Sequence, residues 1–166
     1  MTTDQKSKKI PPPSSATVRA AIEASVGQRL LRAGRMLDET ALARWRSLPN
    51  APPIRPAHTR LFPFIGIEQG IRITEIAAEL GVSKQSVAAL VSDLIEWGFV
   101  DQHPDPADGR ARLVQLSERG RVRVLEGLGI LAELEAEVAK RTTAAKLAAF
   151  EEVLLTYLAV LESGEG

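Results

Sequence analysis

Ile73-Thr74-Glu75-Ile76-Ala77-Ala78-Glu79-Leu80-Gly81-Val82-Ser83-Lys84-Gln85-Ser86-Val87-Ala88-Ala89-Leu90 sets two helical patterns around a single glycine. Two helices joined this tightly cross closely, so the first needs a small residue at the crossing and both need apolar residues facing a shared core. Ala77 is the small residue, Gly81 the turn, and Ile76, Leu80, Val82, Val87 and Leu90 the apolar set: the pattern of a helix-turn-helix. Ser83 is placed to cap the second helix, which runs to Trp97, and Gly98 stands where a left-handed residue closes a helix. Next come Phe99–His103 and Ala111–Leu116, which read as two strands joined by the turn-rich Pro104-Asp105-Pro106-Ala107-Asp108-Gly109.

Upstream, a short helix follows Pro56 through His58 and Leu61, and Pro63 bends or ends it. Gly66 and Gly70 mark a loop. From Ala16 to Leu48 the apolar residues Val18, Ile22, Val26, Leu30, Leu37 and Trp45 recur at helical spacing, predicting one helix of about 30 residues, near 45 Å long. Pro49, Pro52 and Pro53 stop it. A helix of that length overhangs any single core in a chain of 166 residues, which points to a partner chain. Downstream, helical patterns run from Ser117 to about Lys140 and again from Thr142, the last carrying Leu147, Phe150, Leu154, Leu158 and Leu161. The expected architecture is mainly α with a small β-hairpin wing. Residues 1–14 form a disordered tail and linker, and 15–54 an N-terminal dimerisation helix. Residues 55–117 form a winged helix-turn-helix DNA-binding domain, and 118–166 the C-terminal dimerisation helices.

Composition is that of an ordinary globular chain, 45% hydrophobic and 25% charged. The absence of cysteine excludes disulfides, thiolate catalysis and thiol redox sensing. No apolar stretch approaches the roughly 20 residues of a membrane span, and the lysine- and proline-rich start lacks an apolar signal core, so the expected location is the cytoplasm. Net charge is zero, but it is unevenly spread. Residues 1–54 carry 9 basic and 4 acidic side chains, and residues 126–166 carry 3 and 8. Opposite surpluses at the two ends could neutralise each other if the ends pack together; two separately solvated faces are the alternative.

Enzyme chemistry finds little footing. Gly127-Leu128-Gly129-Ile130-Leu131-Ala132 imitates a dinucleotide fingerprint, but the residues after it read as helix with no second strand. His58 and His103 are the only histidines, and no residue cluster has metal spacing. The expectation is a non-enzyme without metal or cofactor.

In a helix-turn-helix the second helix enters the major groove with its N-terminal outer face toward the bases. Here that face presents Ser83, Lys84, Gln85, Ser86 and Ser92. Gln85 has the amide geometry for adenine, Lys84 can reach guanine or phosphate, and the serines suit either. Arg110 and Arg112, two apart on one strand, point to one side and suit the adjacent minor groove, whose negative potential attracts guanidinium. Asp108 lies two before Arg110, close enough to hold its side chain in place.

These features resemble the MarR family of winged-helix transcriptional regulators. The likeness runs loosely from Thr17 to Leu161 and closely over Ile73–Gly120. It rests on Ile73–Gly81, on Gly98-Phe99-Val100, and on the wing signature Asp105-Pro106-Ala107-Asp108-Gly109-Arg110 through Leu113–Gly120. It implies a homodimer with intertwined terminal helices, a palindromic double-stranded operator and often a small aromatic or carboxylic effector. The chain departs from the family's habit at Ala89 and Asp93, where basic residues are common, and at Gln102-His103-Pro104, where arginines often precede the proline. Its DNA face is therefore less cationic than usual. With thiol and metal sensing excluded, a switch must be a small organic ligand or be absent. The expected pocket is bounded by Trp45, His58, Arg60 and Phe62, between the dimer helices and the winged helix. The alternative to a DNA-binding regulator is a winged-helix protein-interaction module that binds no DNA.

Overall fold

Caps and prolines decide where this chain's helices begin and end. The computed structural model describes residues 12–164. In order, the elements are α1 (Ser15–Ala24), α2 (Val26–Arg46), α3 (Pro56–Thr59), β1 (Ile71–Arg72), α4 (Ile73–Glu79), α5 (Lys84–Glu96), β2 (Val100–Asp105), β3 (Asp108–Leu116), α6 (Glu118–Ala139) and α7 (Ala144–Ser163). Most of the expected N-terminal tail, residues 1–11, lies outside the described residues.

The single helix expected from Ala16 to Leu48 is two. Ser25 leaves the helical region (φ −72°, ψ 119°), and its hydroxyl accepts the Gln28 amide at 3.2 Å. A serine that caps a new helix competes with propagation of the old one, and apolar periodicity does not register that competition. The chain divides within α2, between Thr40 and Ala41, into two compact units. In the first, α1 buries no residue, and Ile22 and Leu31 stand 54% and 70% exposed.

The second unit holds the helix-turn-helix and its wing. The sheet has the order β1-β3-β2, all antiparallel. β1 adds a strand to the expected hairpin, and its two residues are too few to carry a periodic signal; Ile71 pairs with Val114 and Arg72 with Leu113. The hairpin is also longer and its tip tighter than the expected turn over Pro104–Gly109. Both strands run on to Asp105 and Asp108, leaving Pro106-Ala107 as the connection, with a register shift between Pro104 and Asp105.

The core gathers Leu61, Ile76, Val87, Leu94, Phe99 and Val114, each fully buried. Trp45 and Trp97 meet the Phe99 ring edge-on at 6.5 and 6.1 Å, a geometry that the aromatic quadrupole favours. Ala77 is buried as the crossing requires, and Gly81 takes φ +62° in the turn. Val82, expected in the core set, is 47% exposed. It contributes its backbone instead, its N–H bonding the Ala77 carbonyl at 3.0 Å, while its side chain points outward.

Helix α5 closes on a Schellman motif. Gly98 adopts φ +70°, its N–H bonds Ile95, and the Phe99 N–H reaches back to Leu94, each at 2.8 Å. The return from the wing into α6 is equally tight. Ser117 bonds the Phe99 carbonyl through its N–H, donates its hydroxyl to the Gly98 carbonyl at 2.7 Å and caps Gly120 at 2.9 Å. Gly120 packs so close that a Cβ there would stand 1.9 Å from the Phe99 oxygen. Further along, Arg44 of α2 grips Glu137 of α6 at 2.7 Å, and its guanidinium holds the Glu137 carboxyl below its ordinary range. Helix α7 buries no residue although it is rich in leucine and valine. No helix among the described residues is long and apolar enough to cross a membrane.

Candidate nucleic-acid interface

The N-terminal turn of α5 carries the expected face. Ser83, Lys84, Gln85, Ser86 and Ser92 are all exposed, and Val87, Val91 and Leu94 bury the opposite side. Two of the serines also hold the helix start. The Ser83 hydroxyl accepts the Ser86 amide at 3.1 Å and lies 2.8 Å from the Ser86 hydroxyl, so one of the orphan amide donors at the start of α5 is satisfied. Lys84, Gln85 and Ser92 have no side-chain partner among the described residues.

On the wing, Arg110 and Arg112 are exposed and make no ion pair among the described residues. Asp108 acts on the backbone: its Oδ1 accepts the Arg110 N–H at 3.1 Å. It therefore shapes the turn from which the Arg110 side chain departs.

The wing is anchored close to its tip by a pair that sequence reasoning missed. Asp105 is 7% exposed; its Oδ1 accepts the Ala107 N–H at 2.8 Å and its Oδ2 accepts Arg72 Nε at 2.6 Å, with Arg72 Nη2 against the same oxygen. The Ala107 amide, then the Arg72 guanidinium, hold the Asp105 carboxyl below its usual range, and the same bond raises Arg72. Arg72 is also the N-cap of α4, its backbone N–H held by Glu75 at 3.1 Å. One arginine thus joins the hairpin to the start of the helix-turn-helix. The Arg72-x-x-Glu75 spacing, with Glu75 reaching back to the N-cap amide, marks a helix start, and the Asp105-x-Ala107 spacing marks an Asx turn, but neither signals that the two meet.

The four residues expected to bound a ligand pocket are placed differently from one another. Trp45 is 5% exposed, donates Nε1–H to the Pro52 carbonyl at 3.1 Å and lies under the Arg123 guanidinium. His58 is fully buried: Nδ1 accepts the Arg55 amide, so Nε2 carries the proton and donates to Asp93 Oδ2, both at 3.0 Å. Arg60 is exposed and Phe62 half-buried. A cavity of about 390 Å³ opens nearby among Arg46, Pro53, Ile54, Arg55, Asp93 and Trp97, and none of the four lines it. Packing explains the difference: Trp45 and His58 sit behind the cavity wall, in the core. Among the described residues no cluster of three or more side chains could hold a metal ion.

A helix-turn-helix followed by an antiparallel hairpin that projects unpaired arginines defines a winged-helix protein. Residues 53–111 match the MarR family. The HTH-type transcriptional regulator PetP of Rhodobacter capsulatus is 38% identical over 66 residues, a match spanning 40% of this chain and 40% of that relative. Among solved structures, wild-type MarR from E. coli in its apo form superposes with TM-score 0.66 at 22% identity, covering 81% of this chain and 97% of that one. The repressor CouR bound to a 23-mer DNA duplex superposes with TM-score 0.62 at 19% identity, covering 89% and 99%. CouR from Rhodococcus jostii bound to p-coumaroyl-CoA gives 0.59 at 20%, covering 82% and 93%. At these identities the structural likeness carries the fold.

Proposed function

We propose that this chain is a sequence-specific double-stranded DNA-binding transcriptional repressor that acts as a homodimer on a palindromic operator and is released by a small organic ligand. The observation that carries the reading is the pairing of a capped helix, whose exposed turn offers Lys84 and Gln85, with a wing whose Arg110 and Arg112 have no carboxylate partner among the described residues. Elsewhere in the same unit Arg44, Arg55 and Arg72 are held by acids. Gln85 and Lys84 suit base edges and phosphate in the major groove, and the wing guanidinium groups suit the minor groove beside it. Similarity to a repressor solved on a DNA duplex, and to CouR solved with an acyl-CoA, supports both halves of the reading.

The dimer is supported by helices that lack a core of their own. Neither α1 nor α7 buries a residue, yet Ile22, Phe150, Leu158 and Leu161 are at least 45% exposed. Apolar helical stripes find burial against a second surface, and an acidic C-terminal end and a basic N-terminal end suit each other across a two-fold axis. Such a dimer would set two α5 helices about 34 Å apart, one turn of duplex.

Selection of bound fragments from genomic DNA, followed by anisotropy titration of the recovered sequence, tests the reading. The expected result is a recovered palindrome bound tightly over random duplex by a species that sediments as a dimer. A stable monomer at micromolar concentration, or equal affinity for random duplex at every salt concentration, would overturn it.

A further inference from the structure

The segment 54–117, which holds the helix-turn-helix and the wing, carries six basic and eight acidic side chains, a balance that repels DNA rather than attracting it. Two of the six cations, Arg55 and Arg72, are taken up by Asp93 and Asp105. Helix α5 has a single cation, Lys84, against Asp93 and Glu96 in its last turn. Acids placed there face the negative end of the helix dipole. Asp93 also stands nearly two turns beyond the exposed Ser86 on the same stripe of the helix, so a bare carboxylate at that point would repel phosphate.

The carboxylate is shared between two partners: Oδ2 accepts Arg55 Nη2 at 2.9 Å and His58 Nε2 at 3.0 Å. These bonds have different consequences. His58 is fully buried, its Nδ1 takes the Arg55 amide at 3.0 Å, and its ring meets Trp97 edge-on at 4.9 Å. That bond therefore ties α5 to the start of α3. The Arg55 side chain is 63% exposed, and an ion pair so open to water adds little to stability. What it changes is where a guanidinium is held: against a carboxylate, and not loose in solvent beside the reading helix.

We propose that Asp93 is a specificity-determining residue of DNA recognition, which fixes α5 through His58 and, by holding Arg55, withholds from the phosphate backbone a cation that would bind every duplex alike. This inference rests on the proposed function and deepens it. Phosphate contacts supply affinity without regard to sequence, whereas contacts to base edges supply discrimination. On random duplex the protein can shift until a loose arginine meets a phosphate. On the operator the base contacts already fix the register, so the same arginine gains less. Holding Arg55 thus weakens random binding more than operator binding, and leaves recognition to Lys84, Gln85, Arg110 and Arg112.

The test measures binding of the full chain to a selected operator and to a random duplex of equal length, by anisotropy across a salt series. Asp93→Asn keeps an acceptor for His58 and releases Arg55. It is expected to tighten random binding, to lower the operator-to-random ratio, and to steepen the salt dependence by about one phosphate contact per protomer. For a dimer, the affinity for random duplex lost between about 50 and 200 mM salt then grows roughly tenfold. Adding Arg55→Gln to Asp93→Asn is expected to return the slope to that of the parent. A gain that survives in the double variant would show that loss of the Asp93 charge explains it, and would overturn the proposal. So would a change confined to Tm, with slope and ratio unmoved, which is what a purely structural pair predicts. Arg55→Gln alone leaves the buried His58 bond intact and carries the test where Asp93→Asn does not fold: weaker binding to both duplexes is expected from the exposed carboxylate, and unchanged binding would overturn the proposal. Absence of duplex binding by the parent at every salt concentration would overturn the regulator reading itself, whereas parent binding with an unmoved slope in the variants overturns the role of Asp93 alone.

Discussion

Gly120→Ala separates what helix propensity predicts from what packing predicts. Alanine in place of a helical glycine gains at most ~1 kcal/mol from propensity. Here, however, the new methyl would start 1.9 Å from the Phe99 oxygen and 2.8 Å from its carbonyl carbon, where real Cβ contacts essentially never fall below 3.0 Å. Helix α6 and the Phe99 backbone must part by more than an ångström, and both obstructing atoms are backbone. Overpacking of this kind costs ~1–3 kcal/mol. The movement also breaks the 3.0 Å bond from the Ser117 N–H to that same carbonyl. Losing a partner at a buried acceptor costs a further ~1–3 kcal/mol. Set against the propensity gain, the net loss is about 1–5 kcal/mol, or roughly 2–20 °C in Tm for a domain of this size. Gly129→Ala on the same helix is the control: its Cβ meets nothing within 4 Å. Thermal unfolding by circular dichroism should place the two variants on opposite sides of, or well apart from, the parent. A Gly120→Ala Tm equal to or above that of Gly129→Ala would refute the close approach of α6 to Phe99.

The wing offers two further tests by anisotropy on a selected operator. Arg110→Ala is expected to weaken binding by roughly 1–3 kcal/mol per subunit, and retained affinity would exclude a groove contact. Asp108→Ala is also expected to weaken binding although it removes a negative charge, since it frees the Arg110 backbone; tighter binding would show that charge outweighs turn geometry. At the tip end of β2, Asp105 has a carboxyl held below its ordinary value of 3.8. Its contribution to stability is complete above that value and is lost as pH falls through the lower folded one. Thermal melts across the acid range should therefore show Asp105→Asn less stable than the parent at neutral pH, with the gap closing below about pH 4. A gap independent of pH would contradict the assignment.

The helix-turn-helix and wing are legible in the sequence because their signals are local and redundant. Ala77, Gly81, Ser83 and Gly98 each mark a backbone position that few other residues suit, and each stands where it is expected. The hidden features depend on partners distant in sequence or on a choice between caps. Arg72 and Asp105 meet across 33 positions, and nothing in either neighbourhood announces the other. The break at Ser25 is a contest between capping and propagation, decided by one hydroxyl that apolar spacing ignores. Trp45 and His58 have the chemistry of pocket residues, but side-chain chemistry alone does not reveal that the core consumes them. Their burial moves the opening to Arg46, Arg55, Asp93 and Trp97, of which Asp93 stands out in the sequence only as a departure from the family's usual cation.

The order β1-β3-β2 leaves two strands with an open side, and both are poor templates for a further strand. β1 is two residues long, too short to recruit an extended segment. β2 presents Asp101, Gln102 and His103 to solvent and then Pro104, which has no N–H to donate. Short edges, polar side chains and a proline are the devices that keep sheets from zippering edge to edge. A small open sheet can therefore project from the molecule without inviting amyloid-like addition, even when many copies crowd along one stretch of polymer. In the proposed dimer, self-association falls instead to the exposed apolar faces of the helices.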